Sequence, residues 1–598
     1  MVGLSAILLA ACGSGLPSTV MRTTATFAES PGNQPDYIFP LVRYQNFNTG
    51  TLSQFQYLMY RPLYLFGDNG QVHLNTSLSL ADTPVYSADG KSVTITLKGW
   101  RWSDGSQITA RDVQFWQNLV TANKGDWAGY TAGEYPDNVT RTMINPTNPL
   151  QITFDLSQAY STYFFTYNEL SQITPIPQHV WDKESPTGPV GNYDETATGA
   201  QAVYRFLDAE SKRISTYDTN PLWQVVSGPW KLKSLDTTGD VSMVPNTEYG
   251  GPIKPTLTQF NEVPFTDDSA EFDQLKAATS VNNTTIDYGY IPYGNVLQRA
   301  SLNSIYNFQP WTGWQITYAP ENFSNPTSGP IFSQIYFRQA MQDLVDQNTF
   351  IRKAFFGYGY PTYGPVPIKP NSTFVDAFEK TNPYPYSPSA AISLLQANGW
   401  TVNAGGVSSC TSAGTGTGQC GVGIRMGARA SFNLQYVSGT PAIDQEMAQF
   451  KTDFALAGIQ VELSSAPFNT VIASTVPCGG TSCGWDMAFW GAGWYYAPDY
   501  DPTGDELWAC TGTGADEQPA ASDAGGYCDP EAESDILATE TDSHLSAMYT
   551  YEDYLAKQLP VIWLPVAYGQ LSMINKNLRG AVPQDPLLQI YPENWRWS

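Results

Sequence analysis

The sequence predicts an α/β fold with more than one domain. Residues 93–97 alternate between apolar and polar side chains, which indicates a strand, and a helix begins shortly afterwards at Thr109. A second helix over residues 443–456 ends at a glycine, and a strand over residues 459–463 follows at once. Helix–glycine–strand units of this kind are typical of α/β architecture. The length of 598 residues is sufficient for two or three domains of ordinary size.

Short-range signals specify the connection between the first strand and its helix. Asp104-Gly105 predicts a tight turn, because glycine supplies the positive φ that such turns often require. Thr109 is the expected N-cap of the helix, and Asp112 three residues on completes a capping-box pattern. The apolar face of this helix consists of Val113, Trp116, Leu119 and Val120.

Other elements are predicted along the rest of the chain. Residues 37–42 indicate a first strand, and residues 54–65 indicate a helix. Two strands, 78–86 and 91–97, flank a Ser-Ala-Asp-Gly turn. A helix begins after a serine cap with proline at its first position and ends at a glycine, over residues 387–399.

Composition and charge exclude several classes of protein. Hydrophobic residues make up 42% of the chain and aromatic residues 13%, which is typical of a folded protein. Thirty Lys and Arg residues against fifty-five Asp and Glu residues give a net charge of −25. This charge argues against nucleic-acid partners and against a basic membrane-binding face, and it favours cationic or amine-bearing ligands.

Catalytic motifs are scarce in this sequence. The chain has three histidines, and they lie in unrelated sequence contexts: His73, His179 and His544. Few residues are therefore available for a Ser-His-Asp or Cys-His catalytic arrangement. The chain has no G-x-S-x-G, P-loop or H-E-x-x-H pattern. We therefore predict that the chain is not an enzyme and uses neither a cofactor nor a bound metal.

The N-terminus has the character of a bacterial lipoprotein signal. Residues 2–11 are apolar but too short to span a bilayer, and the run that ends in Cys12-Gly13 resembles a lipobox. We predict a signal peptide over residues 1–12, lipidation of Cys12 and a flexible tether over residues 13–35. No basic residue precedes the apolar run, so we expect the true start to lie upstream.

Six further cysteines indicate an oxidising environment. Six cysteines allow fifteen connectivities, and the sequence alone does not choose among them. Local spacing favours pairing between neighbours, each pair closing a loop poor in apolar residues: Cys410 with Cys420, Cys478 with Cys483 and Cys510 with Cys528. A zinc cluster is the alternative, although the chain has no Cys-x-x-Cys spacing and few histidines.

Several motifs together carry a family resemblance. They include KGWRWSDGSQITARDVQF at residues 98–115, ITPIPQHVW at 173–181, SGPWKL at 227–232, FRQAM at 337–341 and LPVIWLP at 559–565. In this order, and with further segments between residues 40 and 580, they resemble the bacterial extracellular solute-binding proteins of family 5. Members of that family serve peptide, nickel and related ABC importers.

The resemblance implies a periplasmic-binding-protein-like clamshell (type II, cluster C) with an extra inserted domain. Domain I is then expected to combine residues 36–66, 225–310 and 565–598. Domain II is expected over residues 67–224 and domain III over residues 311–564. In such proteins the solute is buried where domains I and III close, which agrees with the general preference of ligands for clefts between domains.

The best candidate for solute binding by resemblance is the aromatic loop over residues 486–502. Asp499 is the counterpart of an aspartate that pairs with the α-amino group of bound peptides in family members, with Asp501 or neither residue as alternatives. A desolvated ammonium group requires a paired carboxylate. The alternative role of both aspartates is to cap a turn. A glycosidase also needs two acidic residues, but these two lie only two residues apart in the sequence, which argues against that activity.

Aromatic residues could line the same cleft. Candidates within the loop are Trp490, Gly493, Trp494, Tyr495 and Tyr496, and Trp311 and Trp314 form a second pair near the junction of domains I and III. Packing in the core is the alternative for these rings. Arg338 is expected to form an internal ion pair with an aspartate.

The sequence and the resemblance together predict a monomeric, lipid-anchored receptor at the extracellular face of the cell membrane, or in the periplasm of a cell with an outer membrane. It captures a solute, with a peptide preferred, and presents it to the permease of an ABC transporter. Alternatives are a non-peptide solute, such as an oligosaccharide, a siderophore or a metal complex, and a receptor without a transport role.

Overall fold

Strands occur throughout the described part of the chain. The computed structural model describes residues 22–68, 70–475, 484–511, 518–519, 522–582, 587 and 589–598. Its strands are β1 (Thr24–Ala28), β2 (Phe66–Asp68), β3 (Gln71–Leu74), β4 (Val85–Tyr86), β5 (Ser92–Thr96), β6 (Val139–Ile144), β7 (Gln151–Leu156), β8 (Trp230–Leu235), β9 (Val241–Pro245), β10 (Gln259–Val263), β11 (Tyr288–Tyr290), β12 (Tyr306–Trp311), β13 (Gln315–Ala319), β14 (Gly359–Tyr360), β15 (Trp400–Thr401), β16 (Ser409–Cys410), β17 (Ser431–Val437), β18 (Gln460–Ala466), β19 (Met487–Phe489), β20 (Trp494–Tyr495), β21 (Cys510–Thr511), β22 (Gln518–Pro519), β23 (Ile562–Leu564), β24 (Val566–Ala567), β25 (Gln570–Asn575), β26 (Leu578–Arg579) and β27 (Arg596–Trp597).

The helices lie between groups of these strands. They are α1 (Thr49–Thr51), α2 (Tyr57–Met59), α3 (Ala110–Asn123), α4 (Thr162–Phe164), α5 (Gln178–Trp181), α6 (Ala197–Ser211), α7 (Asp268–Lys276), α8 (Gly329–Phe332), α9 (Ile335–Gln342), α10 (Gln347–Lys353), α11 (Pro388–Ala397), α12 (Pro441–Ala455), α13 (Phe468–Ser474), α14 (Asp505–Trp508), α15 (Pro530–Thr541) and α16 (Leu545–Gln558). Helices and strands alternate along the chain in the manner that the sequence predicts.

The largest sheet joins strands that are far apart in sequence. Its order is β12-β25-β11-β1-β10-β9-β8, so the N-terminal strand and a strand near the C-terminus both lie inside it. β1 is parallel to β10, with Phe27 opposite Glu262. The tether predicted for residues 13–35 is therefore wrong from residue 24 onward, because Ala25 and Phe27 are buried in this sheet.

A smaller sheet and two helices follow the first part of the large sheet. Its strands have the order β4-β5-β7-β6, and α3 and α6 contact each other. The predicted capping box at the start of α3 is confirmed: Thr109 N donates to Asp112 Oδ2 at 2.8 Å, and the Thr109 side chain accepts from the N3 backbone. The predicted apolar face of α3 is also buried.

A parallel sheet of order β18-β17-β19 lies in the second half of the chain. Its core includes Phe432 and Leu434 from β17 and Phe450 from α12. The predicted helix–glycine–strand unit is confirmed, because α12 is followed by Gly458, with a φ of +68°, and then by β18. The helix predicted within residues 387–399 is likewise present as α11, with Ser387 as its cap.

Three predicted elements differ from the structure. The strand predicted over residues 78–86 is present only as β4, Val85–Tyr86. Residues 37–42 are buried but form no strand, because side chains bind their backbone: Gln56 Nε2 donates to the carbonyls of Tyr37 and Phe39, and Ser211 Oγ accepts from the amides of residues 38 and 39. The helix predicted over residues 54–65 ends at Met59 and includes a π-helical segment over residues 52–56.

Two covalent links tie together loops in the second half of the chain. The structure joins Cys410 to Cys420 and Cys510 to Cys528. The predicted Cys478–Cys483 pair and the predicted lipidation at Cys12 lie outside the described residues. Within the described part of the chain, every helix is too short or too polar to cross a bilayer.

Candidate functional site

A cavity of about 190 Å³ lies where distant chain segments meet. One enclosed water needs only about 10–15 Å³, so this space has room for an organic solute. Strand β13, helix α12, the aromatic loop and the segment from β23 to β25 all contribute to its lining, which consists of Tyr293, Gln315, Thr317, Phe355, Thr440, Ala442, Ile443, Glu446, Phe489, Gly491, Ala492, Tyr495, Pro565, Ala567, Tyr568 and Gly569.

Strand β13 forms the centre of this lining. It pairs antiparallel with β20, where Gln315 is opposite Tyr495, and with β23, where Thr317 is opposite Leu564. Gly493 permits this pairing, since a Cβ atom at this position would lie 2.4 Å from the Ile316 carbonyl oxygen. The strand thereby fixes Gln315, Thr317 and Tyr495 around one space.

Helix α12 presents two different faces. Ala442, Ile443 and Glu446 line the cavity, and their spacing of three and four residues places them on one side of the helix. Met447 and Phe450 instead pack in the core of the parallel sheet. The helix is thus held by its apolar face while a carboxyl group faces the cavity.

Among the described residues, Glu446 is the one acidic residue of the lining, and no Lys, Arg or His lines the cavity with it. Its side chain is only 1% exposed, and its Oε1 atom has no hydrogen-bond partner among the described residues. Burial raises the pKa of Glu446 to about 8, and no neighbouring charge contributes to this shift. A buried carboxyl group without a partner is costly unless a ligand supplies one.

Aromatic rings surround much of the remaining surface. The rings of Tyr293 and Phe355 have centroids 5.8 Å apart, and the Tyr293 hydroxyl donates to the Tyr568 carbonyl at 2.7 Å. Tyr495 also contributes its ring, and its hydroxyl hydrogen-bonds with Gln315. These contacts fix the rings before any solute enters.

Asp499 and Asp501, the predicted ligand carboxylates, do not line this cavity. Asp499 Oδ2 accepts from Trp494 Nε1 at 2.8 Å, and burial raises the Asp499 pKa to about 8. The chain after Tyr495 turns towards residues 161–172: the Asp501 amide donates to Asn168 Oδ1, and Ser171 donates to the Pro498 carbonyl. The structure therefore does not bring either carboxyl to this cavity, and Asp501 Oδ1 is buried without a hydrogen-bond partner among the described residues.

The predicted aromatic residues divide between the cavity and the core. Tyr495 lines the cavity, and the Trp311 ring lies against Gly569 of the lining. The others make internal contacts: Trp490 Nε1 donates to Thr475, Trp314 Nε1 to the Tyr500 carbonyl and the Tyr496 hydroxyl to the Pro365 carbonyl. Core packing is thus the role of Trp490, Trp314 and Tyr496.

Arg338 has different partners from those expected. Its guanidinium donates to the carbonyls of Phe332 and Gln558 at 2.6 and 3.0 Å rather than to an aspartate. The nearby Glu321 is buried, which raises its pKa to about 8, and the Arg338 charge opposes that rise. Arg338 is therefore an internal structural residue.

Sequence reasoning missed Glu446, although one signal was present. On helix α12 the positions three and four residues away are Ala442, Ile443, Gln449 and Phe450, so no Lys or Arg on the same helix can pair with it. An acid flanked by apolar residues on a helix is unusual on a solvated face. The aromatic loop nevertheless contained more conspicuous residues.

Comparison with known proteins identifies the relatives of this chain. A family model described as "Bacterial extracellular solute-binding proteins, family 5 Middle" matches residues 75–515. Protein XP55 of Streptomyces lividans is 23% identical over 443 residues, which cover 73% of this chain and 66% of that protein. The glutathione-binding protein GsiB of Salmonella typhimurium is 22% identical over 327 residues, covering 54% of this chain and 52% of GsiB. The alignments thus span between half and two thirds of these relatives' own lengths.

Solved structures agree in fold over nearly the whole chain. The oligopeptide-binding protein AppA of Bacillus subtilis, in complex with a nonapeptide, superposes with a TM-score of 0.68 at 17% identity and covers 97% of this chain and 100% of AppA. The periplasmic EDTA-binding protein EppA gives 0.70 at 16% identity, with all of both chains covered. At these identities the likeness establishes the fold, a periplasmic-binding-protein clamshell of type II.

Proposed function

Because the chain belongs to the bacterial extracellular solute-binding proteins of family 5, we propose that it is the receptor of an ABC importer and captures a solute outside the cytoplasm. The observation that carries this proposal is the cavity between β13, α12 and the segment from β23 to β25. It is lined by residues of the expected domain I and of the expected domain III, so movement of one domain against the other would open and close it.

The domain arrangement follows from this proposal. Domain I comprises residues 36–66, 225–310 and 565–598, and β1 adds residues 24–28 to it. Domain II comprises residues 67–224 and domain III residues 311–564. Tyr293 and Tyr568 then approach the cavity from domain I, and Glu446 and Tyr495 approach it from domain III.

A peptide is the preferred solute. Family relatives include proteins named for oligopeptides and glutathione, and the lining offers backbone groups, Gln315 and Thr317 for hydrogen bonds. A non-peptide solute is the second candidate, because other solved structures of this fold are described with Ni(L-His), agropinic acid and EDTA. No bond of the solute is made or broken in this proposal.

The receptor is proposed to work as a monomer at the outer face of the cell membrane. Lipidation of Cys12 would hold it there, and the permease of the transporter would receive the closed form. The two disulfides are consistent with an oxidising compartment.

Native mass spectrometry of the purified protein tests this function. We expect retained solutes that are released unchanged on denaturation. Ala442 lines the cavity, so Ala442→Phe is expected to fill it and reduce solute retention at least about tenfold through overpacking. Ala448→Phe, at an exposed position of the same helix, is the matched control.

Two outcomes would contradict the proposal. One is a purified protein that retains no solute from a cell extract or a peptide mixture. The other is conversion of retained peptides into cleavage products, which would indicate a hydrolase.

A further inference from the structure

We propose that Glu446 is the counter-ion for an organic ammonium group of the bound solute, and that it selects amine-bearing solutes. This inference rests on the proposed function, since it assumes that a solute occupies the cavity. It assigns the role of amine recognition to a residue on helix α12 rather than to the aromatic loop. The argument depends on what surrounds the Glu446 carboxyl group.

The carboxyl group is available to a ligand. Glu446 lines the cavity while only 1% of its side chain is exposed, and its Oε1 atom is left without a partner among the described residues. Other buried carboxyls, such as Glu262 and Glu321, also have oxygens without a partner among the described residues, but they do not line this cavity. An ammonium donor would satisfy Glu446 with a charge-assisted hydrogen bond.

The part of the chain that the structure describes places no cationic side chain in the lining to compete for this carboxyl group. The residues that line the cavity include Gln315, Thr317 and several tyrosines, but no Lys, Arg or His. Lys369 lies 5.9 Å from the centroid of the Tyr568 ring and is not part of the lining. A solute whose only charge is negative would find a carboxyl group and no base.

The neighbouring rings favour the same ligand chemistry. Phe355 and Ala442 belong to one apolar cluster, which Tyr293 contacts, and Phe489 and Tyr495 line the cavity beside them. Aromatic faces attract poorly hydrated cations, and a desolvated site strengthens that attraction. A carboxylate among aromatic rings therefore suits a primary ammonium, either the α-amino group of a peptide or an amine of another solute.

A competition experiment with the full chain tests this assignment. The protein is incubated with a casein digest, with the same digest after acetylation of all its amines, and with cadaverine. Retained molecules are identified by mass spectrometry after gel filtration. We expect amine-bearing peptides to be retained at least tenfold over acetylated ones. Retention of cadaverine in place of peptides would keep the role of Glu446 and identify a non-peptide amine as the source.

Variants separate Glu446 from other carboxyl groups. Glu446→Gln is expected to lose the preference for amines, whereas Glu446→Asp is expected to keep part of it. Glu462→Gln removes an exposed carboxyl group from β18 and serves as the matched control. Circular dichroism verifies that each variant is folded.

The failures are distinguishable. Equal retention of acetylated and free peptides, or retention of neither digest nor cadaverine, would overturn the assignment of Glu446. Loss of amine preference in Asp499→Asn but not in Glu446→Gln would return the role to the aromatic loop. If the protein also retains nothing from a cell extract, the proposed function itself fails.

Discussion

Arg61 and Glu593 form an ion pair in which both side chains are 1% exposed. The pair joins the segment after α2 to a residue five positions from the C-terminus. Each charge offsets the free-energy cost of burying the other, because either charge alone in this position would be buried without a partner.

We therefore predict that Arg61→Met lowers the free energy of unfolding by about 3–5 kcal/mol. Arg141→Met is the control, since Arg141 pairs with Asp155 at the surface and should cost less than about 1 kcal/mol. Urea unfolding measures both. Equal effects of the two variants would show that burial of the Arg61 pair carries no special energetic weight.

The roles of individual residues were harder to predict from the sequence than the helices and strands. The aromatic loop directed attention to Asp499, whose carboxylate proves to accept from Trp494 within the same loop. Glu446 became visible as a site residue only once α12 was placed against β13 and the 565–569 segment. Which carboxyl group stays without a partner depends on contacts between distant segments.

The pairing of strand β20 with strand β13 depends on one glycine, Gly493. A Cβ atom at residue 493 would lie 2.4 Å from the Ile316 carbonyl oxygen and 2.8 Å from the Thr317 Cα. We predict that Gly493→Ala separates β20 from β13, lowers stability by about 1–3 kcal/mol and weakens solute binding. Gly294→Ala is the matched control, because no atom lies within 4 Å of that Cβ.

Urea unfolding and binding titrations check this prediction together. A stable Gly493→Ala variant that binds solute normally would mean that the β13–β20 pairing tolerates an added methyl group. A destabilised variant with unchanged affinity would separate the strand pairing from the cavity.

The helix ends that depend on local capping signals were predicted correctly. The capping box of α3 and the glycine end of α12 involve residues within a few positions of one another. The strand predicted over residues 37–42 was wrong, because the backbone there is bound by the side chains of Gln56 and of Ser211, which lies about 170 positions away. Apolar alternation cannot reveal such partners.

At the scale of the whole molecule, buried carboxyl groups are widespread. Burial raises the pKa of each of the following to about 8: Glu29, Glu169, Glu321, Glu446 and Asp499. Each has a higher pKa in the folded chain than in the unfolded chain, so its contribution to stability is present below about pH 4.5 and is lost as the pH rises towards 8.

We therefore predict that the protein is more stable in mild acid than in mild alkali. Calorimetry should give a Tm roughly 5 °C higher at pH 5 than at pH 8, with the exact shift set by the entropy of unfolding. Carboxyls with a lowered pKa, such as Asp194, do not act in this window. Glu29→Gln should flatten the profile, and the exposed Glu462→Gln should not. A Tm that rises with pH would refute the prediction.

The order of the largest sheet has a consequence for synthesis. β25 lies between β12 and β11, which precede it by more than 250 positions, and β1 pairs with β10 and β11. A nascent chain cannot complete this sheet until nearly all of its 598 residues have left the ribosome. A premature stop codon before residue 570 would leave the edges of β11 and β12 unpaired, and limited proteolysis should find such a product open and prone to aggregation.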